Sequence, residues 1–204
     1  MDAGPSSVPA VSPDSESITS KFNKAKDLKA AGDEAFKAQN WQGTLLKYHE
    51  ALLYLKGLDK NATQKALGAP VPPPPPVDAA ASQDEKVLTE VDLLLEKIYS
   101  NMAQVHLNNG RWKRAIETAD KALSHNKKNI KAMFRKAKAL KEQGYFEKAE
   151  EVLKKIQEEG DDDEKEAAVK EMESVKAAEK ATTAKHNQKM KGFLNKEKVD
   201  LTPN

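Results

Sequence analysis

Lys131 and Arg135 stand four residues apart in NIKAMFRKAKALKEQGYFEKAEEVL, residues 129–153. Four residues is just over one helical turn, so both cations project from the same face of a helix. Such a pair can meet solvent, a neighbouring helix or an acidic partner. The chain carries 34 lysines and arginines, so a solvated face is the plain alternative to a binding site.

Other residues with chemical potential are dispersed. His49, His106, His125 and His186 show no metal-ligand spacing, and surface or groove roles suit them better than a zinc site. There is no glycine-rich phosphate loop, no serine in a nucleophile elbow, and no cysteine for a nucleophile, thiolate ligand or disulfide. The many carboxylates read as solvated helix surface. Nothing supports an enzyme, a cofactor or a metal.

The 204 residues hold 38% apolar and 32% charged side chains at a mean hydropathy of −0.76, so any core is thin, which suits layered helices better than a sheet enzyme. The net charge of +2 is too small for nucleic-acid binding by bulk electrostatics. The opening MDAGPSSVPAVSPDSESITS has no basic and apolar signal pattern, and no apolar run approaches the ~20 residues that span a bilayer. The expected location is the cytoplasm, with the nucleus second.

Residues 1–18 are rich in Ser, Pro and acids and read as a disordered tail. Apolar and small residues then recur at 3–4 spacing from Phe22 to Phe36, and again at Leu45, Tyr48, Ala51, Leu52 and Leu55. The run Pro72 to Pro76 breaks the pattern, favours polyproline II and reads as an exposed linker, with bait for a proline-recognising domain as the alternative. Helical period resumes at Val87 and Leu88, followed by turns at NNGRW, SHNKKN and EQGYF.

These turns align. Gly110 to Gly144, Trp112 to Phe146 and Ala115 to Ala149 are each 34 residues apart, and Trp41 to Trp112 is 71, or 34 plus an insertion of 37. Gly32, Ala103 and Ala137 fall where the two helices of a unit must approach closely. A strict period of 34 in helix–turn–helix units is the tetratricopeptide signature. The expectation is an all-α fold: three such repeats (about 25–58, 96–129 and 130–163) in a right-handed solenoid over 19–160. An insertion at 59–95 contains the prolines, a charged capping helix covers 161–195, and a tail follows over 196–204.

Residues 22–156 resemble a three-repeat tetratricopeptide domain of the co-chaperone kind. The stretch LKYHEALLYLKGLD followed by a long insertion is similar to the tetratricopeptide repeat protein 9 family and to the tail domains of large immunophilins. That resemblance implies a non-catalytic adaptor. Its concave groove would hold the Glu-Glu-Val-Asp terminus of heat-shock protein 90 or 70 in a carboxylate clamp. The matching stretches LKAAGDEAF, YSNMA and IKAMFRKA place the clamp at Lys29, Asp33, Asn101, Lys131 and Arg135, with Asp33 where the family has Asn. In this reading Lys131 and Arg135 grip the terminal aspartate with solvent-facing heads. Lys29 adds charge and Asn101 hydrogen-bonds the peptide. Asp33 opposes the ligand's charge unless Lys29 and Lys37 tie it up. The alternatives are a scaffold holding a different, non-chaperone partner in the same groove and an enzyme accessory subunit recruiting through its prolines.

The last segment is split in charge, −5 over residues 161–179 and +5 over 180–198, which complements a helix dipole. Val169, Met172, Val175, Met190, Phe193 and Leu194 suggest a coiled-coil-like helix that caps the repeats and then projects. Its basic end resembles the chaperone-proximal tail of immunophilins, with calmodulin or a membrane surface as alternative contacts.

Overall fold

The computed structural model describes residues 13–56, 58, 63, 65–68 and 88–196. Among them are seven long helices and no strand: α1 (Pro13–Lys37), α2 (Trp41–Leu55), α3 (Glu90–Asn108), α4 (Trp112–His125), α5 (Ile130–Glu142), α6 (Phe146–Glu159) and α7 (Asp162–Lys196). None of these helices is long and apolar enough to cross a membrane. Each helix packs on the next, and α1, α3, α5 and α7 also pack in series, so the first helices of successive pairs form one continuous layer.

The pairs close in the same way. At the end of each first helix an N–H reaches back five residues, from Asn40 to the Ala35 carbonyl, Arg111 to His106 and Tyr145 to Leu140, each at 2.9 Å. This 6→1 bond marks a Schellman turn, which needs a left-handed residue just past the helix. Gly110 and Gly144 supply it with φ of 65° and 80°; the first pair uses Gln39 at 58°, a conformation uncommon outside glycine. Thr44, Ala115 and Ala149, three residues after the aromatic residue that opens each second helix, have no exposed surface.

Close helix approach explains the small residues. A Cβ on Gly32 would lie 2.5 Å from Cε1 of Tyr48, so only glycine lets the α2 ring lie flat against α1. Ala103 and Ala137 are fully buried. One core cluster, including Phe22, Tyr48, Leu55, Ile98 and Met102, joins the first two pairs; another, including Met133, Leu153, Ile156 and Val175, joins the third pair to α7.

Several boundaries differ from the sequence reading. Residues 13–18, expected as tail, begin α1, and the fixed φ of Pro13 suits the first helical position. The helix expected from Val87 starts at Glu90, where Thr89 and Asp92 form a reciprocal capping box; Leu88 is outside the helix and Val87 lies outside the described residues. The proline run 72–76 also lies outside them. Within the insertion, Thr63 is fully buried and Leu67 packs against the first core, so this part of the chain adds to the core rather than being only linker.

On α7 the packed stripe is Ala168, Met172 and Val175, one side of successive turns, fastened by Lys141 to Glu171 at 2.8 Å. Val169, expected in the cap, points away and is 47% exposed. From Glu179 to Phe193 every residue is exposed, including Met190 and Phe193.

Candidate functional site

The layer of first helices carries a groove of about 430 Å³ lined by Lys29 of α1, Asn101 of α3, and Lys131 and Arg135 of α5. Asn101 and Arg135 are 34 residues apart, so they occupy the same place in successive repeats. Four of the five residues expected to form the clamp therefore meet in one concavity although the first and last are more than 100 residues apart. Their local supports are identifiable. Asn129 caps α5 through the Ala132 N–H at 2.9 Å, two residues before Lys131. His125 Nδ1 meets the buried Asp92 carboxylate at 3.1 Å and its ring stacks on Tyr99, tying the turn before α5 to the start of α3.

Asp33, the fifth residue, does not line the groove. Lys29 Nζ pairs with its Oδ2 at 2.5 Å, the Tyr48 hydroxyl donates to its Oδ1 at 2.6 Å, and Asn101 Nδ2 donates to the same oxygen at 3.3 Å and to the Tyr48 oxygen at 3.2 Å. An internal carboxylate thus takes donors that the clamp would offer to a ligand. Lys37, expected to share in neutralising Asp33, pairs instead with Glu34 at 2.8 Å. The Tyr48 phenol is pushed well above its usual range, first by burial and then by donating to Asp33, so it stays protonated and stays a donor.

Arg135 corrects a second expectation. Its head is not simply solvent-facing: Nη1 donates to Ser100 Oγ at 2.5 Å and Nε donates to Gln104 Oε1 at 3.2 Å. Burial lowers its pKa from the ordinary arginine value, but an arginine remains charged in proteins. The two bonds aim the guanidinium from α5 across to α3 and engage two of its five N–H groups. Lys131 is exposed at the groove wall.

Sequence reasoning missed Tyr48, Ser100, Gln104 and Glu96. Tyr48 read as one more apolar position on α2. Ser100 and Gln104 are one turn apart on α3, flanking Asn101, and that spacing was the available signal. His106, expected at a surface or groove, is buried at 4% exposure and does not line the groove; burial, then Arg111 and Arg114, lower its pKa.

Residues 106–172 match the family model for the tetratricopeptide repeat. Among curated proteins the chain is similar to the human zinc finger CCCH domain-containing protein 7B, at 29% identity over 126 residues, covering 62% of this chain and 10% of that protein. The chain spans between 10% and 18% of the length of the curated relatives it matches. Among solved structures it is similar to the C-terminal TPR-containing domain of a Plasmodium falciparum FK506-binding protein (TM-score 0.55, 19% identity, 85% of this chain and 95% of that one). It is also similar to the Hsp90 co-chaperone Cns1 of Saccharomyces cerevisiae (TM-score 0.62, 20% identity, 87% and 46%). The fold is the all-helical tetratricopeptide solenoid.

Proposed function

We propose that this chain is a non-catalytic adaptor whose groove captures the C-terminal carboxylate of a partner protein, the Glu-Glu-Val-Asp tail of heat-shock protein 90 or 70 being the leading ligand. The observation that carries the reading is the convergence of Lys29, Asn101, Lys131 and Arg135, from three successive repeats, on one open groove. Charge-assisted bonds from Lys and Arg to a carboxylate are about twice as strong as neutral ones. The likeness of the fold to that of an Hsp90 co-chaperone supports a chaperone as the partner. Pull-down of a purified chaperone tests it: excess free Glu-Glu-Val-Asp peptide is expected to abolish capture, and unaffected capture would overturn the assignment.

A second reading has its own observation. Asp33 engages Lys29 and Asn101, which leaves Lys131 and Arg135 as the accessible pair. A scaffold built for a different tail would show that arrangement, and it would bind the chaperone peptide weakly at any salt concentration.

A further inference from the structure

Glu96 lies in the same groove and takes no part in the clamp. It is 6% exposed, and its Oε2 is buried with no hydrogen-bond partner among the described residues. The other acid lining the groove, Glu164, is engaged: its Oε2 accepts the Asp161 N–H at 3.1 Å at the start of α7. An ionised carboxylate only accepts hydrogen bonds, and a buried oxygen left without a donor carries a desolvation cost that a ligand can relieve. Among the described residues the remaining lining charges are cations: Lys29, Lys97, Lys128, Lys131 and Arg135. The groove therefore attracts an anionic ligand overall while holding one acceptor that needs a donor.

We propose that Glu96 accepts a backbone N–H of the bound tail, upstream of the terminal carboxylate, and so fixes the register of an extended peptide. This rests on the carboxylate-binding reading above. Glu96 stands four residues, one turn or about 6 Å along the axis, before Ser100, which holds Arg135. An extended peptide advances about 3.3 Å per residue, so the amide within reach is about two residues before the terminus. The groove's ligand class is then an extended polypeptide end, not an isolated dicarboxylate.

The sign of the effect discriminates. If Glu96 acted only through its charge, removing it would tighten binding of an acidic tail. The test titrates an acetylated peptide ending Glu-Glu-Val-Asp, and versions N-methylated at one amide at a time, into wild type, Glu96→Ala and Glu96→Gln. Glu96→Ala is expected to weaken the unmodified peptide about tenfold, whereas Glu96→Gln, which keeps an acceptor, stays within about threefold. One N-methylation is expected to cost wild type about tenfold and Glu96→Ala less than twofold. Tighter binding by both variants, or N-methylation losses identical in wild type and Glu96→Ala, would overturn the proposal. Should Glu96→Ala lose its helical circular dichroism, a flat N-methylation scan in wild type would overturn it alone. A C-terminally amidated peptide separates the two readings. If it binds as well as the acid, the carboxylate reading falls while the N–H coupling still decides Glu96. If no peptide binds, both fall.

Discussion

The two halves of the groove carry similar donors in opposite states. In the half where Lys29 of α1 meets Asn101 of α3, both are closed around Asp33, and Tyr48 of α2 completes the ring of partners. In the half built by α5, Lys131 is exposed and Arg135 is aimed by Ser100 and Gln104, neutral groups that orient a guanidinium without cancelling it. Donor identity alone does not make a clamp; the neighbours decide whether the donors are free. A carboxylate partner satisfies a lysine, whereas hydroxyl and amide partners position an arginine and leave its charge for a ligand.

The open half should carry most of the affinity. Arg135→Ala is expected to weaken peptide binding by about 1.5–3 kcal/mol, as for loss of a hydrogen bond to a charged group. It should also lower the thermal midpoint, because Ser100 and Gln104 lose the arginine that joins α3 to α5. Lys131→Ala is the cleaner variant: the same calorimetric titration should show a binding loss with the midpoint unchanged, since its head is exposed.

Tyr48→Phe breaks the closed half. The Tyr48 side chain is fully buried and its hydroxyl donates to a charged acceptor, so denaturant unfolding should report a loss of about 1.5 kcal/mol. Stability equal to wild type would mean that the Asp33 ring does not hold α1 on α2.

Asp33→Asn should open the closed half instead. Lys29 loses its anionic partner and Asn101 its charged acceptor, so both donors turn to a ligand in the groove. Binding of a Glu-Glu-Val-Asp peptide is expected to tighten by about 1 kcal/mol, roughly fivefold. The gain should shrink as salt rises, because the groove is open to water. Weaker binding by the Asn variant would favour the scaffold reading.

The smallest effect separates the groove from the core beneath it. His106 is buried with its pKa below the usual 6.5, so the unfolded chain binds the proton more readily. Its neutral form therefore contributes stability fully above pH 6.5, and this is lost as pH falls below 6.5 through the lower folded pKa. The thermal midpoint should be lower at pH 5.5 than at 7.5, and less so in His106→Leu. Peptide affinity should stay flat over that range, since no histidine lines the groove.

The 34-residue period carried the fold because each repeat places its small residues at the same helix crossing, and the second and third repeats place a glycine at the same turn. The groove was legible to the same extent: once the repeats are in register, Asn101 and Arg135 must share a wall. What the sequence did not expose is the state of the donors. The contact of Tyr48 with Asp33 spans 15 residues and depends on Gly32, whose missing Cβ lets the ring pass and puts the hydroxyl beside the next residue. A tyrosine in an apolar stripe gives no sign of where its hydroxyl ends. Glu96 was hidden for a related reason: periodicity places it on α3 but does not say that one oxygen lacks a donor. At the edges, Pro13 and Thr89 set helix starts by local chemistry that hydrophobic spacing does not register.

The central claim is that this groove recognises a terminal carboxylate. It is tested most directly by titrating wild-type protein with one labelled Glu-Glu-Val-Asp peptide as the free acid and as the C-terminal amide. Binding of the amide is expected to be at least tenfold weaker, with Arg135→Ala erasing most of that difference. Equal affinity for acid and amide would contradict it.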